Sequence, residues 1–145
     1  MFGSFFRRAK PDRLAQGPST HDEPLPPARS LATFDRLGQT LVATLTSGTL
    51  AAPDAIELAA QLAAQTETSE TRHLVLDLQN VQYMDSMCVG VLVELMTRLQ
   101  SRDGRIALVN AGGNVEYLFK LTRLDRLFPI CRDVMKAIEV VERAG

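Results

Sequence analysis

Only two cysteines, Cys88 and Cys131, occur among 145 residues. Two thiols cannot build a disulfide framework, so a reducing, cytoplasmic setting is expected. No apolar run is long enough to span a bilayer. The segment from Phe2 to Lys10 lacks the apolar stretch of a signal peptide. Charge of one sign is also missing: 16 basic residues face 17 acidic ones, for a net charge of −1. With a pI near 6.1, nothing recommends nucleic acid as a partner. The two histidines, His21 and His73, have no Cys, Asp or Glu at ligand spacing, so no metal site is expected. Gly112-Gly113 lacks the third glycine of a nucleotide fingerprint, and no cofactor is proposed. Neither paired carboxylates nor a nucleophile with its base can be recognised, which argues against an enzyme.

What remains is ordinary globular material, 46% apolar and 23% charged. Five of the seven prolines precede residue 28, among polar and charged residues. Residues 1–29 therefore read as a disordered tail, and residues 30–145 as one domain. Phe2, Phe5 and Phe6 beside Arg7, Arg8 and Lys10 raise the idea that the tail touches a membrane surface or a partner groove. An unstructured terminus is the simpler reading and is preferred.

Within the domain, residues 32–37 and 39–46 flank Gly38 as a two-stranded hairpin. Leu41, Ala43 and Leu45 alternate there with Thr40, Val42 and Thr44. A helix is expected from Pro53, with Leu58 and Leu62 on its apolar stripe. A Leu/Val-rich strand at 73–78 follows, then a helix from Ser86 bearing Val89, Leu92, Leu95, Met96 and Leu99. Residues 105–109 form a further strand, Gly112-Gly113-Asn114 opens a helix, and Ile130-Cys131 offers a short edge strand. Asp133 caps a last helix with Val134, Ala137, Ile138 and Val141 at regular spacing. The order ββαβαβαβα predicts an α/β fold, a mixed, mostly parallel sheet of four to five strands with about four helices.

The segment Tyr83-Met84-Asp85-Ser86-Met87-Cys88-Val89-Gly90 joins the strand to the long helix. Residues 80–84 read as a loop leaving the carboxyl end of a strand, where open α/β sheets place their sites. Ser86 at a helix start is adequately explained as an N-cap. It also offers a hydroxyl beside backbone N–H groups without partners, where a phosphate could be added and held. Met84 and Met87 bracket it with flexible apolar side chains suited to a contact patch. Cys88 in the first helical turn could have its thiol pKa lowered by the helix dipole. A small buried residue is the preferred reading over a redox sensor or a nucleophile.

The strand 74–78, Met84-Asp85-Ser86, Val89-Gly90-Val91-Leu92, residues 115–119 and residues 124–128 together resemble the STAS domain family. The likeness is to its stand-alone bacterial members, the anti-sigma factor antagonists, over roughly residues 31–143. It implies a STAS-like fold with Ser86 as the phosphoacceptor and Met84, Asp85, Met87, Cys88 and Val89 as the partner-binding surface. It further implies an anti-sigma factor with serine kinase activity and a phosphatase as partners. Two departures stand out. Met87 and Cys88 replace the usual Ser or Thr and then Gly after the acceptor, and Gly48-Thr49-Leu50-Ala51 lacks the usual carboxylates. They keep an alternative in view: a non-switching STAS subunit or scaffold of a membrane lipid-transport or signalling complex.

Overall fold

Gly38 has a φ of 64°, a conformation a residue without Cβ enters freely, and it reverses the chain between the first two strands. The computed structural model that shows this describes residues 30–143. The expected disordered tail, and with it the Phe-rich start, lies outside the described residues. Strand β1 (Ala32–Leu37) pairs antiparallel with β2 (Thr40–Leu45), Ala32 opposite Leu45 and Leu37 opposite Thr40. The sheet then continues in parallel through β4 (His73–Asp77), β6 (Ile106–Val109) and β7 (Ile130–Cys131). Its order is β1-β2-β4-β6-β7. Among the described residues the four helices are α1 (Ala55–Thr66), α2 (Ser86–Gln100), α3 (Gly113–Leu121) and α4 (Val134–Arg143).

The period of two along each strand decides which helix covers which face. Leu41, Ala43 and Leu45 of β2, Leu74 and Leu76 of β4, and Ile106 and Leu108 of β6 point to one side. There they meet Leu58 and Leu62 of α1, Leu92, Leu95 and Leu99 of α2, and Val115 and Phe119 of α3. Phe119 closes this layer by packing edge-on against Phe128, ring centroids 5.7 Å apart. On the opposite face Val42, Val75, Ala107 and Val109 form a smaller core under Ala137 and Val141 of α4 alone. Asp133 starts that helix as expected, its carboxylate accepting from Lys136 N at 2.8 Å.

The structure departs from the sequence expectation at two short strands. β3 (Thr49–Leu50) and β5 (Tyr83–Met84) pair in parallel, Thr49 opposite Tyr83 and Leu50 opposite Met84. The supposed loop at 80–84 thus ends in a ladder, and two residues are too few to show any periodicity. Pro53 also lies in a 3₁₀ turn (Ala52–Asp54) that precedes α1, not in the helix itself.

Candidate functional site

The approach to Ser86 begins at the carboxyl end of β4. Asp77, largely buried there, accepts from Gln79 N at 3.0 Å and from Asn110 Nδ2 at 3.1 Å. That pair ties the loop after β4 to the loop after β6. Asn80 Nδ2 donates to Leu45 O, and Gln82 N and Tyr83 N both donate to Gly48 O. Asp85 N then donates to Leu50 O at 3.0 Å. The β3–β5 ladder therefore holds the helix entry at the rim of the sheet.

Asp85, not Ser86, is the N-cap of α2. Its backbone is extended, and its Oδ1 accepts from Met87 N and Cys88 N, each at 3.1 Å. A carboxylate in this position satisfies two of the four orphan donors of the helix and complements the helix dipole. Ser86 becomes the first helical residue. It is exposed, and among the described residues its hydroxyl has no hydrogen-bond partner. The expected cradle of free N–H groups is correspondingly smaller: Asp85 already occupies the Met87 and Cys88 amides. A phosphoryl group on Ser86 would sit beside a carboxylate, in the positive end of the dipole but without the full ring of donors.

The residues assigned to the contact patch divide sharply. Met87 is 59% exposed and Tyr83 is 55% exposed. Met84 is 2% exposed, because the β3–β5 ladder turns it into the core beside Leu50. Cys88 and Val89 are buried in the same cluster, since they fall on the face of α2 that meets the sheet. Met84, Cys88 and Val89 are thus structural supports of the site, and its surface consists of Asp85, Ser86 and Met87 with Tyr83 beside them.

Cys88 donates from Sγ to Ala51 O at 3.3 Å. Burial, followed by the nearby charges of Asp85 and Asp54, pushes its thiol up to about 11. The helix dipole does not prevail, and the group remains a thiol at neutral pH. Asp54 is a residue that sequence reasoning passed over. Its Oδ2 accepts from Ala51 N at 3.0 Å, next to the carbonyl that Cys88 uses. A carboxylate therefore stands near the helix entry although Gly48-Thr49-Leu50-Ala51 contains none. The Pro53-Asp54 turn was its only signal. No group of three or more His, Cys, Asp or Glu side chains able to hold a metal occurs among the described residues.

The STAS-domain model matches residues 38–137, more than half of the chain. The chain belongs to the STAS-domain family. A Thermotoga maritima protein provisionally assigned as an anti-sigma factor antagonist is 36% identical over 70 residues, 48% of this chain and 62% of the relative. A Bordetella bronchiseptica protein with the same provisional assignment is 30% identical over 98 residues, covering 68% of this chain and 83% of its own length. The STAS domain described here also matches the solved structure of the anti-sigma factor antagonist SpoIIAA in its unphosphorylated form. That match has a TM-score of 0.66 and 20% identity, and covers 79% of this chain and 97% of that one. At such identity the structural likeness speaks for the fold alone. The antiparallel hairpin, parallel continuation and four helices agree with the architecture expected from the sequence.

Proposed function

We propose that this STAS domain is a phosphorylation-controlled protein-binding module rather than a catalyst, with Ser86 as the phosphoacceptor. The observation that carries the reading is the exposed, unpartnered Ser86 hydroxyl directly after the Asp85 cap, in a chain whose relatives are assigned as anti-sigma factor antagonists. In this account the unmodified domain binds a cytoplasmic anti-sigma factor with serine kinase activity through Asp85, Ser86 and Met87, and a sigma factor is released. Phosphorylation of Ser86 ends the contact, and a phosphatase restores it.

The physical cost of the switch falls on association. A phosphoryl group adds about −1.5 to −2 charges at neutral pH. On the free domain it meets the helix dipole favourably and Asp85 unfavourably. Two unit charges about 4 Å apart in water repel by only about 1 kcal/mol, and this pair by about 1.5–2 kcal/mol. Pressed against a partner, the same pair must lose water beside the apolar Met87 side chain. A penalty of about 1–3 kcal/mol there weakens binding roughly 5- to 150-fold.

Intact-mass spectrometry of the chain from its native cells tests the assignment. A species heavier by one phosphate, absent from Ser86→Ala, is the expected result; a phosphate that persists in that variant refutes it. A second reading is favoured by Met87 and by the carboxylate-free Gly48-Thr49-Leu50-Ala51: a non-switching subunit or scaffold of a membrane lipid-transport or signalling complex. Under that reading the native chain stays unmodified and co-purifies with an assembly whose composition Ser86→Asp leaves unchanged.

A further inference from the structure

At the amino end of the sheet, remote along the strands from Ser86, lies a cavity of about 550 Å³ that the switch does not use. Its origin is topological. β7 has only two residues and pairs only with Leu108 and Val109, so the first half of β6, paired with β4 on one side, has no strand on the other. Gly104 keeps the adjoining turn free of a side chain, since a Cβ there would collide with the Arg72 carbonyl oxygen. Arg123, in the left-handed conformation, turns the chain into the short 3₁₀ segment that brings Arg126 and Leu127 to the opening.

The lining has two chemical characters. Buried Met96, Ile106 and Val141 make an apolar floor, and Leu127, 49% exposed, stands with Pro129 at its edge. Arg72, Arg105 and Arg126 make a basic wall, against which Asp103 is the one acidic residue of the lining. Arg72 donates from Nε to the Asp103 main-chain oxygen at 3.2 Å, which orients its fork without neutralising it. Among the described residues neither Arg72 nor Arg126 has a carboxylate at ion-pair distance, whereas Arg98 and Arg143 do. Glu142, which lines the adjoining cleft together with Arg72, accepts from Thr40 Oγ1 at 2.8 Å.

We propose that this cavity binds a small organic phosphate, its phosphate on the Arg72 and Arg126 guanidiniums and an apolar body over Ile106, Val141 and Leu127. Guanidinium forks match phosphate oxygens in pairs, and two uncompensated cations lining one cavity suit a dianion better than a single carboxylate. The volume is that of small-ligand sites, and the strongly polar, arginine-rich wall beside a smaller apolar floor suits an anionic head on a compact apolar body. The same chemistry can come from a free metabolite or from a lipid headgroup.

The test titrates the full chain with 1-naphthyl phosphate, 1-naphthol and inorganic phosphate, following backbone amides by NMR. A parallel arm measures co-sedimentation with phosphatidylcholine vesicles containing phosphatidic acid. Naphthyl phosphate is expected to give saturable shifts clustered at Gly104, Ile106, Leu127 and Val141, and to bind at least about tenfold more tightly than either fragment. The exposed-site variant Arg72→Gln/Arg126→Gln should lose at least that factor at an unchanged melting temperature; each single variant serves if the double one is unstable. Ser86→Asp should bind as the parent does, so the outcome is independent of the switch. Sedimentation that the double variant abolishes assigns the phosphate to a lipid, and its absence beside naphthyl phosphate binding assigns it to a metabolite. Equal affinity of parent and double variant, naphthol binding as tightly as its phosphate, or no arginine-dependent binding in either arm overturns the proposal.

Discussion

The two ends of the sheet handle their polar groups in opposite ways. At the carboxyl end, Asp77, Asn110, Asp85 and Asp54 find partners within the surrounding loops, and the neutral Ser86 hydroxyl is left outward. At the amino end, Arg72 and Arg126 keep their charge toward a cavity. Under the proposed switch, a rigid frame around the uncharged Ser86 hydroxyl would make the first end responsive to a covalent change. A cavity with standing charge would make the second responsive to the proposed ligand. The five-stranded core lies between, so a perturbation at one end need not reach the other.

The largest way to break this contrast is Gly104→Ala. The added Cβ meets backbone on two sides, the Arg72 and Leu99 carbonyl oxygens, which cannot rotate away as a side chain would. A loss of about 3 kcal/mol is expected by urea unfolding, at the upper end of overpacking costs. A near-neutral result would show that the Arg72 strand entry shifts easily and that the cavity is soft. Next comes Asp85→Ala. Removing the acceptor of the Met87 and Cys88 amides should cost about 0.5–2 kcal/mol, and Asp85→Asn less. Stability unchanged in Asp85→Ala would mean that the β3–β5 ladder alone holds the helix entry.

His73 sharpens the amino end. It is buried, its Nδ1 accepts from Arg105 N at 3.1 Å, and burial first, then Arg72, lower its pKa from 6.5, with Glu142 opposing. A histidine held neutral in the fold takes up a proton more readily when unfolded. Its contribution is therefore complete above 6.5 and lost as pH falls below it. The unfolding free energy of the parent should decline over that interval more steeply than that of His73→Asn; parallel curves would remove His73 as the cause. The smallest expected effect on stability belongs to Ser86→Asp, within about 0.5 kcal/mol, because the side chain is exposed and makes no hydrogen bond among the described residues. Its binding to the proposed anti-sigma partner should nonetheless fall roughly 5- to 150-fold. Unaltered binding measured by calorimetry would end the switch reading, and an unfolded variant would show that Asp85 repulsion outweighs the dipole.

The sequence by itself determined the hairpin at Gly38, the parallel succession of strands, and the position of Asp85-Ser86 at the start of α2. Those features are local. Strand and helix periods, turn glycines and cap residues act over a few neighbouring positions, and each is recorded in consecutive letters. Choosing between Asp85 and Ser86 as the cap already required geometry, since either residue type suits the role. Only the tertiary structure decided that Met84 and Cys88 face inward, because the β3–β5 ladder joins segments with no shared pattern. It likewise decided that Asp54 stands near the helix entry, and that Arg72, Arg105 and Arg126 gather around one opening. Such meetings depend on where the sheet ends and which strand is short, and these are properties of the packed chain.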